Sequence, residues 1–316
     1  MIATKTILEM PVPNRNDFIA ELTGYVSPAT VVRRNEPLAK HTTLRVGGPA
    51  DVYTEPASEA ELARVVKNCR ARGIPFFVMG RGSNLLVRDG GFRGVIICLA
   101  HANFSRIEIS GERLRCGAGA KLKNVAVEAK RNDLSGVEFF EGIPGSVGGA
   151  LRMNAGAMGG QTFDVVESVR VMDFDGRVHE LVQSEMVVEY RACPTLKKRI
   201  ALEAVFRCKR APREEIEARM KAFSTKRWES QPTAPSAGCM FKNPKTIPAG
   251  KLVDELDLKG LRVGGAVVSA EHGNFIVNDG TATARDVLEL IETVKAKAKA
   301  GRGIDLETEV EIIGEA

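Results

Sequence analysis

Two glycine-rich segments carry residue types suited to holding a large anionic ligand. The first is Gly80-Arg81-Gly82-Ser83-Asn84-Leu85, just after the apolar run Pro75–Met79. Its amides, the Ser83 hydroxyl and the Asn84 side-chain amide can donate to phosphate oxygens, and no carboxylate stands among them to repel the ligand. It is not a Rossmann fingerprint: Leu85 stands where the third glycine belongs, and no crossover helix follows. Taken alone it also fits a tight, hairpin-like connection. The second is Gly142-Ile143-Pro144-Gly145-Ser146-Val147-Gly148-Gly149-Ala150, continuing through Asn154 and Gly156 to Gly160, with seven glycines in 19 residues and Arg152 as its only charge. Such a stretch makes a poor strand and a poor helix. Pro144, Val147, Leu151 and Met153 make it too apolar for a flexible spacer. Main chain of this kind can wrap a diphosphate and a flat ring system. No GxxxxGK[ST] occurs, which excludes a P-loop.

These loops lie where glycine is concentrated: 19 of the 31 glycines fall between Gly47 and Gly160. Glycine permits positive φ and close approach of backbone to ligand. The net charge of +5, from 45 basic and 40 acidic residues, suits an anionic small molecule. The longest basic run is Lys197–Arg199 and aromatics make up 5%, so no nucleic-acid stripe is present. Cys69, Cys98, Cys116, Cys193, Cys208 and Cys239 are never closer than 15 residues, which excludes a CxxC redox or zinc knuckle. We expect free thiols in a reducing cytoplasm and no metal. Met1–Met10 has no apolar core of a signal peptide. No charge-free stretch exceeds 12 residues, too short for a membrane span.

The elements that must position the loops follow from the patterning. A short helix is expected near Asp17–Leu22, in a segment to about Arg34 that is otherwise irregular. Asp51–Glu55 reads as a strand. Ser58-Glu59-Ala60-Glu61 is a capping box opening a helix with Leu62, Val65, Val66 and Cys69 on its inner face, ended by Gly73. Pro75–Met79 and Gly94–Leu99 are strand-length apolar runs, and strand–helix–strand alternation argues for mixed α/β structure. Leu122–Asn132 reads as a helix. Asp175-Gly176 joins Ser168–Phe174 to Arg177–Leu181 as a hairpin. Ile200–Cys208 is another strand. Pro212–Phe223 is helical, and the composition change places a domain boundary near Ala211. Val263–Ala270 is apolar, Thr283 opens a helix ending in Lys295–Lys299, and Ile304–Ile313 closes the chain as a strand.

In order, HTTLRVGGPADV, VMGRGSNLLVRDGGFRGVII, GIPGSVGGALRMNAGAMGG, EYR, SAGCMFKNP, AGKLVDELDLKGLRVGGAVVS, HGNFIVNDGTATARDV and ETEVEIIGE run from about Glu36 to Glu315. Together they resemble the UDP-N-acetylenolpyruvoylglucosamine reductases, the MurB flavoproteins of peptidoglycan synthesis. The resemblance implies an α+β fold (mixed α/β): a two-part FAD-binding domain of the vanillyl-alcohol-oxidase type and a smaller C-terminal α+β substrate domain. On this reading residues 1–34 are an extension, 35–100 and 101–211 the two FAD-binding subdomains, and 212–316 the substrate domain. Only Lys245–Pro248 separates Phe-Lys-Asn-Pro from Ala-Gly-Lys-Leu, as in the family's short form. Non-covalent FAD would be held by Gly80–Leu85 and Gly142–Gly149 (Gly142, Ile143, Pro144, Gly145, Ser146, Gly148, Gly149), completed by Asn154 and the turn at Gly156–Gly159.

The implied reaction is an NADPH-driven, FAD-mediated reduction of the enolpyruvyl group of a UDP-sugar, ending in protonation of C2. Charge builds on the substrate carboxylate, so a fixed cation must face it. The resemblance gives that role to Arg191, which can bind a carboxylate bidentately. Glu309 matches the family's second stabilising residue, with Glu307 as the nearest misassignment. Cys239 stands where the family usually has the serine that donates the proton. A thiol is the stronger acid, and it predicts sensitivity to alkylating agents. Tyr190, Lys242, Asn243 and His272 are candidate substrate contacts. Cys193, Glu271 and Glu311 depart from frequent Ser, Lys and Arg. No nucleic acid, membrane or obligate protein partner is called for. Two other classes stay open from the residues: another flavoenzyme of the same fold oxidising an alcohol or sugar, and a non-catalytic nucleotide-binding module.

Overall fold

The structure, a computed structural model, describes residues 15–316; the reading of Met1–Met10 falls outside them. The helix expected near Asp17–Leu22 runs from Arg15 to Tyr25. Three sheets of four or five strands follow among the described residues, besides three two-stranded ones. The first has the strand order Val31–Pro37, Pro49–Glu55, Phe92–Cys98, Phe76–Met79. Its first pair is antiparallel and the others are parallel. The helix Glu59–Ala71 supplies the crossover, burying Leu62, Val65, Val66 and Cys69 against Val52, Val95 and Ile97. The Ser58 hydroxyl accepts from the Glu61 amide at 3.3 Å. The other half of the expected capping box is not made. Buried Glu61 accepts instead from Ser27 N, Thr30 Oγ1 and Ala57 N at 2.6–3.1 Å, tying the entering chain to the helix start.

The second sheet is antiparallel, in the order Val178–Val182, Val166–Asp173, Arg199–Arg207, Arg113–Gly117, Ile107–Ser110. Gly176 takes φ +78 in its hairpin turn. The helix Leu122–Arg131 packs on this sheet, and so does a helix that composition spoke against. Val147–Met153, inside the second glycine-rich segment, is helical. Val147, Ala150 and Leu151 are buried in the sheet's core with Phe140 and Phe206. Tertiary burial outweighs the roughly 1 kcal/mol that each glycine costs a helix.

The helix Arg213–Ser230 is longer than its expected span, and it carries Ile216 and Met220 into the same core. The third sheet is antiparallel, in the order Ser236–Cys239, Phe275–Asn278, Ala266–Val268, Arg262–Val263. It packs on the helix Ala284–Arg302, through Val287, Leu290, Ile291 and Val294. Thr283 and Asp286 form that helix's capping box, and Gly303 ends it at φ +67.

The chain end departs from the continuous strand expected over Ile304–Ile313. Its first part follows the third sheet: Lys242 N donates to Glu307 O and Glu309 N to Met240 O. At buried Val310 it changes partner, and Glu311–Ile313 pairs in parallel with Leu85–Val87. The polypeptide thereby stitches the C-terminal sheet to the first glycine loop. Further ties run alongside. Asp89 accepts from Ala284 N and Arg285 N, both at 2.9 Å, and Thr43 Oγ1 donates to Ser236 O at 2.6 Å.

Candidate active site

A cavity of about 1140 Å³ opens where these parts meet. Both glycine-rich segments line it, and in the first of them glycine is sterically constrained. A Cβ on Gly80 would stand 2.6 Å from Ser146 Oγ, and one on Gly82, at φ +61, 2.2 Å from His41 O. A Cβ on Gly145 would come within 3.6 Å of Ser83 Oγ, so the two segments meet along the cavity wall. Gly80, Arg81, Gly82, Ser83, Asn84 and Leu85 line it, as do Gly142, Ile143, Pro144, Gly145, Ser146, Gly148, Gly149 and Gly156.

Two expected contacts serve other ends. Asn84 is on the wall, but its Nδ2 donates to Glu309 O at 3.2 Å and its own carbonyl accepts from Glu311 N at 3.1 Å. It fastens the chain end to the loop. Asn154 is not on the wall. It caps the helix Val147–Met153 at φ 41, and its buried amide bonds Gln161, Glu189 O and Phe163 N. Every polar atom of the side chain has an internal partner, so Asn154 supports the segment from behind the wall.

Arg191, Cys239 and Glu309 come from three elements and converge on one stretch of cavity wall. Arg191 sits at φ +55 in a turn closed by reciprocal bonds between Glu189 and Ala192, and its side chain lies under the Tyr190 ring, 5.1 Å from the centroid. A non-glycine residue held in the left-handed region stores strain of a kind that clusters at functional sites. Its Nε donates to Glu309 Oε1 at 3.0 Å. A Cβ on Gly156 would lie 3.3 Å from Arg191 Nη1, so this glycine makes room for the guanidinium. Burial pushes the Glu309 carboxyl above its usual range, against the opposing pull of Arg191 and, more weakly, Lys242. Glu307 is exposed and pairs with Lys242 at 3.0 Å, so Glu309 is the carboxylate that the fold aims inward.

Cys239 is half-buried, following Gly238 at φ +75. Burial, reinforced by Glu309 and opposed by Arg191, pushes its thiol up to about 12. The thiol is therefore a held proton at neutral pH. That direction argues against the expected sensitivity to alkylating agents, since alkylation needs the thiolate.

The four candidate substrate contacts lie off the cavity wall. Tyr190 is exposed beside Arg191. Asn243 Oδ1 accepts from Ala249 N at 3.0 Å, fixing the start of the helix Ala249–Glu255. His272 Nδ1 accepts from Asn274 N, its ring packs edge-on to Phe275, and burial lowers its pKa. Of the departures, Cys193 is buried and Glu271 accepts from Ser269 Oγ.

Sequence reasoning passed over other wall residues. Arg152 donates to Glu311 Oε1 at 2.7 Å, and both line the cavity. Arg227 donates to Gly142 O, while its buried Nε has no partner in the structure and burial lowers its pKa. Arg152 could have been found as the lone charge in a glycine-rich segment. Arg227 had no signal, because only the fold brings it to Gly142.

Glycines that a Cβ would close, adjoining loops with free hydroxyls and basic residues on the wall fit a long dinucleotide. The fold and cavity define a protein built to hold a dinucleotide, and residues 50–182 match the family described as FAD binding domain. Residues 231–313 match the C-terminal domain of UDP-N-acetylenolpyruvoylglucosamine reductase. Proteins named UDP-N-acetylenolpyruvoylglucosamine reductase from Syntrophomonas wolfei (44% identical, 91% of this chain, 97% of the relative) and Clostridioides difficile (42%, 96% and 99%) match along nearly the whole length. The crystal structure of UDP-N-acetylenolpyruvylglucosamine reductase (MurB) from Thermus caldophilus superposes with a TM-score of 0.78 at 41% identity, over 90% of this chain and 98% of that one. The chain belongs to the UDP-N-acetylenolpyruvoylglucosamine reductase family. The expected fold class holds: α+β, with a two-part FAD-binding region and a C-terminal domain of this family. Among the described residues no helix is long and apolar enough to cross a membrane.

Proposed function

We propose that this protein reduces the enolpyruvyl group of UDP-N-acetylglucosamine enolpyruvate to UDP-N-acetylmuramate, with NADPH as co-substrate and non-covalent FAD as cofactor. The observation that carries the reading is the convergence of Arg191, Glu309 and Cys239 on the wall of a glycine-lined cavity. FAD, when bound, supplies the hydride-transfer chemistry; Gly80–Leu85 and Gly142–Gly149 hold it, with Arg227 adding a cation. The short connection Lys245–Pro248 supports reading the chain as the short form. The divisions at about 35, 101 and 212 mark two cofactor subdomains and a substrate domain, with the helix Arg213–Ser230 as the connection packed on the second. Six unpaired cysteines suit a reducing cytoplasm.

In the mechanism, Arg191 binds the substrate carboxylate and offsets the charge that builds there. Glu309 fixes the guanidinium through Nε and leaves its terminal nitrogens for the substrate. Cys239, protonated across the neutral range, gives its proton to C2. Arg191 also pulls the thiol's pKa down, so the guanidinium that receives the substrate stabilises the thiolate left behind. Tyr190 and Lys242 are the outer contacts assigned to the sugar and diphosphate. Asn243 and His272, already bonded internally, hold the substrate domain in shape.

A spectrum tests the reading. The purified protein should carry flavin absorbance that NADPH bleaches and that returns under anaerobic conditions only on adding the enolpyruvyl substrate. Protein that stays colourless after FAD addition, or recovers only with oxygen, overturns it.

A further inference from the structure

Glu309 and Glu311 flank buried Val310 where the chain end changes partner, and both side chains line the cavity. Each meets an arginine on the same wall: Arg191 Nε to Glu309 at 3.0 Å, and Arg152 Nη2 to Glu311 at 2.7 Å. The two arginines are themselves linked, because Cys193 N, two residues past Arg191, donates to Arg152 O at 2.9 Å. Asn84 closes the frame by bonding Glu309 O and Glu311 N. The result is a two-rung ladder of ion pairs. One rung faces the proposed chemistry. The other has no assigned task.

We propose that Arg152 is a positioning residue: it neutralises Glu311 so that Arg191 stays committed to Glu309 and to the incoming substrate carboxylate. The proposal rests on the assignment of Arg191 and Glu309 made above. Its basis is charge balance. Two carboxylates and two guanidiniums leave this wall neutral, and the substrate brings the next negative charge. Glu311 lies about 6–7 Å along the chain from Glu309, inside a Debye length and partly shielded from water. Without Arg152, Glu311 competes with both Glu309 and the substrate for Arg191. The Arg191 backbone is pinned in its turn, so the guanidinium is the part that swings. Arg152 is itself held, with its guanidinium 5.8 Å from the Phe77 ring centroid. Its loss therefore changes a charge and removes a fixed group.

Arg152→Met, Glu311→Gln and the double variant, prepared as holoenzymes, test this. Substrate affinity for the oxidised enzyme is read from the perturbation of flavin absorbance, and KM and kcat from turnover. Arg152→Met is expected to weaken substrate binding and raise KM by about tenfold or more. Reduction by NADPH alone should stay within about twofold. Glu311→Gln alone is expected to be nearly silent. The double variant should recover affinity to within about threefold of wild type, because the competitor has gone with its partner. A double variant no better than Arg152→Met overturns the proposal, since a purely structural role predicts no rescue by removing a second contact. If Arg152→Met does not retain FAD, the swapped pair Arg152→Glu with Glu311→Arg decides: recovered affinity supports the proposal and lost affinity overturns it. Arg191→Met run in parallel separates the layers. Unchanged affinity and kcat there would remove the catalytic reading and this proposal together. A loss there, together with no rescue of Arg152→Met by Glu311→Gln, removes this proposal alone.

Discussion

Cys239 should be slow to alkylate. A thiol that acts as a held proton must be a poor nucleophile until it has given the proton away. Burial and Glu309 raise its pKa from 9.0 to about 12, so at neutral pH it carries roughly 10³-fold less thiolate than an ordinary cysteine. A more basic thiolate is intrinsically more nucleophilic, which recovers about 20-fold over three pKa units. The net expectation is reaction about 50-fold slower than free glutathione. The assay is a quenched time course with iodoacetamide on the holoenzyme, read peptide by peptide by mass spectrometry, with glutathione in the same tube. The neighbours set the direction of two further changes. Glu309→Gln removes the charge that raises the thiol, so alkylation should quicken. Arg191→Met removes the charge that lowers it, so alkylation should slow. Alkylation of Cys239 at the glutathione rate, or no change in Glu309→Gln, refutes the reasoning. The catalytic counterpart is that Cys239→Ala loses about 10²–10⁴ in turnover while Cys239→Ser keeps a measurable fraction.

Three other perturbations separate scaffold from site. Glu61, held by three donors, has its pKa lowered from 4.5 to about 2. A lowered folded pKa gives stability that is complete above about pH 4.5 and lost as pH falls through 2, here about 3 kcal/mol. Urea midpoints from pH 6 to pH 2 should therefore fall less steeply in Glu61→Gln, and an unchanged slope counts against the account. Gly82→Ala would put a Cβ 2.2 Å from His41 O and should strip FAD, measured as flavin absorbance per protein; Gly159→Ala, at φ +90 with nothing within 4 Å, should keep it. Asp89→Ala removes the carboxylate that accepts from the first amides of the helix Ala284–Arg302 and should cost about 1–2 kcal/mol in thermal unfolding, with Asp89→Asn intermediate.

Local chemistry was the most legible part of the sequence. The glycines at 80 and 82 announce a close approach of two chains, and the structure shows it: a Cβ would stand 2.6 Å from Ser146 Oγ at the first and 2.2 Å from His41 O at the second, whereas Gly142 and Gly145 have room for one. Ser58, Thr283 and the hairpin at Gly176 were readable for the same reason: each rule is satisfied within a few residues. What escaped depends on distant partners. The helix Val147–Met153 exists because Phe140 and Phe206 bury its inner face, and nothing in its own composition says so. Glu61 fits a capping box by spacing, yet Ser27 and Thr30, over thirty residues upstream, take its carboxylate.

The chain end shows how such a long-range feature becomes functional. Spacing alone makes Glu307, Glu309 and Glu311 equivalent members of one strand face. The change of partner at Val310 breaks that equivalence. Before it, Met240 and Lys242 hold the chain on the third sheet, beside Cys239; after it, Asn84 and Leu85–Val87 hold the chain on the cofactor loop. Glu307 is left outside with Lys242, while Glu309 and Glu311 are carried into the cavity beside two arginines. A continuous strand would have remained on one sheet and given the site a single wall. The switch places a carboxylate at the seam between the FAD-binding region and the C-terminal domain, where the proposed proton donor and the proposed anchoring cation meet.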